Sequence, residues 1–182
     1  HHGIAIQGER TRTVARFNEI FPALYKEISQ SDIEVEIDYI PSWKNCATEE
    51  EVVEHLSGHR ERDRIMATTT SGIHRDRFVV SSQGQSFDQS GSTGQLRLAS
   101  LVLRSAQMAF YEQMAGKKPV ILVDDVLLEL DHTRRERFLA NLNPYSQAFF
   151  TFLPEEHYSA SLQEANALLY TVREGRFARG QG

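Results

Sequence analysis

The sequence contains few of the residues that mark several common classes of protein. Its 182 residues include one cysteine, Cys46, which excludes a disulfide within the chain and suits a reducing compartment. No apolar run approaches the ~20 residues of a membrane span, and five prolines without a low-complexity tract argue against long disordered segments. The net charge of -5 argues against a protein that coats nucleic acid through overall positive charge. We therefore expect a cytoplasmic globular chain of about one domain, without a membrane partner.

Hydrophobic periodicity predicts helices and strands that alternate through the second half of the chain. The apolar run 120–123 is expected to be a parallel or central strand buried on both faces. The helix predicted at 93–114 is apolar on nearly every side, so we expect it inside the fold. Together these elements favour an α/β layer fold. The other predicted elements are helices at 9–29, from the Thr48–Glu51 capping box to about 65, and at 133–142, strands at 33–39, 78–80 and 148–152, and a hairpin over 168–177.

The dipeptide Gly-Gln occurs twice, each time in a small polar loop of the kind that can hold phosphate. The first loop is Ser82-Gln83-Gly84-Gln85 and the second is Ser92-Thr93-Gly94-Gln95. A phosphate is bound best where a loop runs directly into a helix, because the first amides of the helix and its dipole then face the anion. Only the second loop leads without a break into a helix. We therefore predict a hairpin turn for the first copy and a phosphate site for the second.

Two adjacent carboxylates, Asp124 and Asp125, follow the apolar strand 120–123. Ligands of open α/β sheets bind outside the carboxyl ends of the strands, where a cation would relieve the repulsion between the two groups. Mg²⁺ fits such oxygen ligands, and one carboxylate beside a substrate phosphate is enough to hold it. The pair could equally turn the chain and cap the next helix. Asp131, further on, is an ordinary N-cap candidate.

Three segments in this order resemble the RecF family of recombination and repair proteins, which are ABC-type ATPases related to the SMC group. PVILVDDVLLELD, residues 119–131, with Arg134 and Arg135 after it, resembles the family's Walker B and D-loop segment. TSGIHRDR, residues 70–77, resembles its Gly-Pro-His-Arg-Asp stretch, with Ile73 where proline is usual. STGQLR, residues 92–97, stands where the family carries its ABC signature loop. The resemblance extends from about residue 9 to the end of the chain.

The resemblance gives the signature loop a role towards a second subunit. Ser92, Gly94 and Gln95 would contact the γ-phosphate of ATP bound to that subunit, and Arg97 would brace the loop. Asp131, in the D-loop, would contact the opposing subunit across the interface of an ATP-bound homodimer.

The resemblance also gives a role to the acidic pair. Asp124 would hold Mg²⁺, commonly through water, and Asp125 would act in catalysis by orienting the hydrolytic water. Thr151 stands at the switch position, where most ABC proteins have histidine, and His157 lies too far along to be an obvious substitute. Asp125 stands where many ABC ATPases have glutamate, and a displacement of ~1 Å can cost on the order of a hundredfold in rate. Slow, switch-like hydrolysis is expected.

A Walker A motif, G-x-x-x-x-G-K-[ST], is absent from the sequence. The resemblance therefore implies the C-terminal lobe of an ABC-type ATPase head, in which residues 1–30 are the end of a helical arm and residues 31–182 are the lobe. We expect the chain alone to bind ATP poorly and not to hydrolyse it. The parent protein is expected to be an ATP-dependent DNA-binding clamp that acts with RecO and RecR to load RecA in repair, replication and the SOS response.

Two other interpretations stay open at this point. Asp124, Asp125 and His74 could form a self-sufficient Mg²⁺-dependent phosphoesterase, or the lobe could be a purely structural interaction module. Arg60, Arg62, Arg75 and Arg77 could reach DNA phosphates, while His74-Arg75-Asp76 could equally hold a buried arginine–carboxylate pair.

Overall fold

The protein is described here by a computed structural model that covers residues 2–124, 127, 130–142, 145–152 and 167–179. Its helices are α1 (His2–Ser29), α2 (Glu49–Met66), α3 (Phe87–Ser90), α4 (Thr93–Ala115) and α5 (His132–Ala140), with a 3₁₀ turn at Ile73–Arg75. Its strands are β1 (Glu36–Ile40), β2 (Arg77–Ser82), β3 (Gln85–Ser86), β4 (Val120–Val123), β5 (Gln147–Phe150), β6 (Tyr170–Arg173) and β7 (Arg176–Arg179). None of the helices in these ranges is long and apolar enough to cross a membrane.

The core forms where α1 and α4 pack together and against both sheets. Phe21, Tyr25 and Ile28 of α1 are fully buried there, which confirms the predicted apolar face of this helix. α1 begins at His2, earlier than the predicted residue 9. Because its last turns share the core of α4, this helix fixes the position of the elements that follow. The assignment of residues 1–30 to a helical arm stays a prediction.

α4 is buried on one face only, so the prediction of a helix without a polar face is wrong. Leu98, Ala99, Val102, Ser105 and Ala106 are buried. The exposed positions are Arg97, Ser100, Arg104 and Gln107. Steps of three and four residues place these polar side chains in one stripe, which the abundance of apolar residues around it obscures in the sequence.

The first sheet is antiparallel, with the strand order β1-β2-β3. Ile37 is buried between the exposed Glu36 and Asp38, which confirms the predicted alternation, although the strand spans 36–40 rather than 33–39. β2 and β3 are joined by Gln83 and Gly84 at φ 51° and 73°. Two successive positive φ angles define the type I′ turn that suits a tight hairpin. The first Gly-Gln copy is therefore a hairpin turn, as predicted.

The second sheet pairs β4 with β5 in parallel, with Leu122 opposite Phe149. The prediction of a parallel strand at 120–123 is confirmed, but that of burial on both faces is wrong. Ile121 is 8% exposed, whereas Leu122 is 76% exposed and Phe149 52%. Successive residues of a strand point to opposite faces, and in this chain the core covers only one of them. The hairpin β6–β7, with Glu174 and Gly175 at its turn, matches its predicted position.

Candidate functional site

The second Gly-Gln copy forms the N-terminus of α4. Ser92 is the N-cap, and its hydroxyl accepts a hydrogen bond from the Gln95 amide at 3.3 Å. The Gln95 side chain accepts one from the Ser92 amide at 2.7 Å, which completes a capping box. The amides of Thr93 and Gly94 have no carbonyl of this helix to bond, so they can face an anion. The predicted helix start is thus present, with Ser92 exposed.

Asp124 and Thr151 meet at the carboxyl ends of the parallel strands. The Thr151 hydroxyl donates to Oδ1 of Asp124 at 2.7 Å, and the Thr151 amide donates to the Val123 carbonyl at 3.0 Å. Asp124 is exposed at this edge rather than buried in the core. A carboxylate fixed by a hydroxyl and open to solvent has the oxygen chemistry that Mg²⁺ prefers. Asp125 and His157 lie outside the described residues.

Asp131 caps α5, the helix that follows this edge. Its Oδ1 accepts from the Arg134 amide at 2.9 Å, and its Oδ2 lies 3.4 Å from Nε of Arg134. Arg135 holds the segment before the helix by donating to the carbonyls of Leu127 at 3.1 Å and Leu130 at 3.4 Å. The predicted N-cap is therefore present, and the D-loop backbone is tied to the helix that it begins.

The signature turn and the D-loop helix are neighbours. A methyl group built on Gly94 would lie 3.7 Å from Nη1 of Arg134, so this guanidinium rests against the first turn of α4. Arg97 lies exposed further along the same helix. The structure thus gathers the predicted residues into two groups, one of Asp124 and Thr151 and the other of the Ser92 turn with Asp131.

Asp76, in the His74-Arg75-Asp76 stretch, is the centre of a buried network. Its side chain is 1% exposed and forms an ion pair with Nη1 of Arg10 at 2.5 Å. It also accepts from the Tyr39 hydroxyl at 2.5 Å and from the Ser42 amide at 2.8 Å. This network ties α1, β1 and the loop after β1 to the start of β2. The stretch therefore holds the arginine–carboxylate pair that was one of its two predicted roles.

The network perturbs the ionisation of its members. Burial alone would raise the pKa of Asp76, but the hydrogen bonds from Ser42, Tyr39 and Arg10 outweigh it and hold that pKa below its ordinary value. Burial, followed by the hydrogen bond to Asp76, raises the pKa of Tyr39 to about 12. Asp76 is therefore a charged structural group at neutral pH.

The phosphoesterase interpretation finds no support in these contacts. His74 shares a hydrogen bond with the Thr69 hydroxyl at 2.7 Å, within its own loop. Across the described ranges, no group of three or more His, Cys, Asp or Glu side chains could hold a metal ion. Arg75, a candidate for DNA contact, donates to the Thr69 carbonyl and the Thr68 hydroxyl at 2.8 and 2.9 Å and so braces the same loop.

Two residues near the site gained their importance only from the structure. Arg10 lies 66 residues from Asp76, and sequence periodicity carries no sign of that pairing. Arg134 carries a weak signal, since a basic residue in the first turn of a helix is electrostatically disfavoured and suggests a further partner. That partner is the start of α4.

The mixed helix-and-sheet fold, the capped phosphate-type turn and the carboxylate at the sheet edge together define a lobe of the ABC ATPase type. The recombination mediator RecF, in a structure described as RecF-ATP in the RecFOR pathway, has this fold over 98% of the chain and 47% of its own length, with a TM-score of 0.76 and 24% identity. A second structure, with RecF-ATPrS, gives the same TM-score of 0.76. The chain matches no protein-family model.

The curated relatives carry the name RecF as well. The DNA replication and repair protein RecF of Treponema pallidum is 45% identical over 166 residues, which are 91% of this chain and 46% of that protein. The protein of the same name from Leptospira interrogans is 30% identical over 177 residues, 96% of this chain and 47% of that protein. The chain thus spans about half the length of the relatives that it matches. Its resemblance to the RecF family is confirmed, and it concerns their C-terminal half.

Proposed function

We propose that this chain is the signature-bearing half of a RecF-type ATPase head. In the complete protein it binds the γ-phosphate of an ATP molecule held by a second copy, and ATP thereby closes a homodimer. The observation that carries the proposal is the capped N-terminus of α4, where Ser92 and the first amides of the helix are exposed. This is the arrangement that holds a phosphate through backbone N–H groups and the helix dipole.

The second group of residues acts on the nucleotide of its own subunit. Asp124, oriented by Thr151, would hold Mg²⁺, and the ion would neutralise charge on the phosphates. Asp125 is the proposed residue that orients the attacking water. Asp131 meets the other subunit from the start of α5, and Gln95 and Arg97 shape and brace the signature turn. The Thr–Asp pair supports slow, switch-like hydrolysis.

The whole protein, on this proposal, is an ATP-driven clamp on DNA in replication, repair and recombination. The relatives' names include DNA replication and repair, and the matching structures are described as a recombination mediator in the RecFOR pathway. Those names favour RecO- and RecR-type partners, RecA loading at gaps bearing single-stranded DNA, and a part in the SOS response to DNA damage. A cytoplasmic location is part of the same proposal.

The proposal is tested with Ser92→Asp in a full-length RecF protein that carries this chain. Aspartate is as good an N-cap as serine, so the fold is kept, while its charge repels the γ-phosphate. We expect loss of ATP-dependent dimerisation in sedimentation velocity, with unchanged binding of ATP to the monomer. Ser82→Asp, in the first Gly-Gln copy, is the matched control. Equal dimerisation of both variants and the wild type would overturn the proposal.

A further inference from the structure

Arg134 connects the two segments that the proposed function directs towards the partner subunit. It is the third residue of α5, and its guanidinium Nε lies 3.4 Å from Oδ2 of Asp131, the D-loop cap. Its Nη1 lies 3.7 Å from the position of a Cβ on Gly94, in the signature turn. One side chain, 37% exposed, therefore touches both segments.

The surroundings of Arg134 show that its position is closely defined. Tyr25 of α1 is fully buried. Burial raises the pKa of Tyr25, and the positive charge of Arg134 opposes that rise. The guanidinium thus lies where α1, α4 and α5 come together. A cation held there cannot report the movement of one helix alone.

Electrostatics alone does not favour this position. The first turns of α4 and α5 both carry the positive ends of helix dipoles, and a cation beside either is disfavoured by about 0.3–1 kcal/mol. Asp131 offsets that repulsion at α5. At α4 the described contacts include no carboxylate on Arg134, so the guanidinium adds positive potential beside the phosphate-type turn.

We propose that Arg134 is a positioning residue that locks the signature turn to the D-loop cap, so that Ser92 and Asp131 meet the partner subunit as one rigid surface. This inference rests on the proposed function. Without the lock, each nucleotide-closing contact would have to be ordered separately, and ATP would close the dimer less tightly. Binding of ATP to the subunit's own pocket would not change, because Arg134 does not belong to the Asp124 group.

The test compares Arg134→Gln, Arg134→Lys and the matched control Arg137→Gln, on the same helix, in the full-length protein. We expect ATP-dependent dimerisation to weaken on the order of tenfold in Arg134→Gln, the size of a moderate coupling between two sites. Arg134→Lys should weaken it nearly as much, because one ammonium cannot bridge Asp131 and Gly94 as a fork of N–H groups does. Arg137→Gln should dimerise as the wild type.

Hydrogen exchange supplies a readout that a general loss of stability would not mimic. In the monomer, Arg134→Gln should speed the exchange of amides 92–97 and 131–135 and leave the α1–α4 core amides unchanged. Asp131→Asn, which keeps the N-cap but removes the charge, should speed the same amides. Combined with Arg134→Gln it should add little, since both remove one interaction.

Several results would overturn the inference. They are wild-type dimerisation in Arg134→Gln, full rescue by lysine, exchange that speeds up throughout the core, and additive effects of the two substitutions. Ser92→Asp separates this inference from the proposed function. If Ser92→Asp abolishes dimerisation and Arg134→Gln does not, only the role of Arg134 fails; if neither has an effect, the proposed function fails.

Discussion

Two glycines three residues apart at the signature turn should respond oppositely to a single added methyl group. A Cβ on Gly91 would lie 2.8 Å from the Phe87 carbonyl oxygen and 3.3 Å from the Leu96 side chain. The first distance is a clash with backbone inside the hydrogen bond that the Gly91 amide donates to the same carbonyl. Overpacking of this kind costs about 1–3 kcal/mol. Gly91→Ala should therefore destabilise the fold by about that amount.

Gly94 has no such reason to be glycine within its own chain. Its Cβ would meet only Nη1 of Arg134 at 3.7 Å, an ordinary van der Waals distance. Glycine inside a helix costs up to about 1 kcal/mol relative to alanine, so Gly94→Ala should leave the free energy of unfolding unchanged or raise it. The methyl group would instead stand where the partner's phosphate approaches. A hydrogen bond to a charged group contributes about 1.5–3 kcal/mol, so its loss weakens binding roughly tenfold to a hundredfold at each site.

The assay measures both quantities on both variants of the full-length protein. Urea unfolding gives the stability, and sedimentation velocity with a non-hydrolysable ATP analogue gives the dimerisation constant. We expect Gly94→Ala to be stable and defective in dimerisation, and Gly91→Ala to be less stable but to dimerise once folded. Wild-type dimerisation by Gly94→Ala would refute the argument that the site for the partner's phosphate includes this turn.

Three further predictions concern the Asp76 network and the sheet edge. Asp76→Asn leaves Arg10 without its charged partner and should cost about 3 kcal/mol in urea unfolding, whereas Asp38→Asn, at an exposed position of β1, should change little. Tyr39, whose pKa rises to about 12 in the fold, stabilises the protein fully below the ordinary tyrosine value near pH 10 and loses that contribution as the pH rises towards 12. The stability difference between wild type and Tyr39→Phe should therefore narrow over that window in thermal melts, and a constant difference would contradict the assigned pKa. Thr151→Val removes the hydroxyl that orients Asp124 and should raise the Mg²⁺ concentration needed for ATP hydrolysis by about 10–100-fold, with Thr171→Val as the control.

Local sequence signals predicted the parts of the site that depend on neighbouring residues. A capping box needs a serine and a glutamine three residues apart, and Ser92 and Gln95 supply both. A type I′ turn needs residues that accept positive φ, and Gln83-Gly84 lies between two short strands. In both places one alternative conformation satisfies the backbone better than the others, so the sequence alone distinguishes the two Gly-Gln copies.

Long-range contacts were beyond such signals. The ion pair of Arg10 with Asp76 joins residues whose separation in sequence carries no period, and its value comes from burial that only the assembled fold creates. The same holds for the contact between Arg134 and Gly94. The roles of the site residues came from resemblance to a family, and the geometry of the two groups now supports them as a proposal.

The error about β4 is instructive because the pattern was sound and the inference from it concerned the wrong assembly. Four consecutive aliphatic residues are typical of a strand in a parallel sheet, and such sheets are normally covered on both faces. The parallel pairing is present, yet Val120, Leu122 and Phe149 are 58%, 76% and 52% exposed on one face. The chain spans 46% of its relative from T. pallidum, so the sequence pattern can reflect burial that a longer protein completes. A strand's hydrophobicity reports the environment in which the sequence evolved, and this face of β4 and β5 is where the segment on its own departs most from that environment.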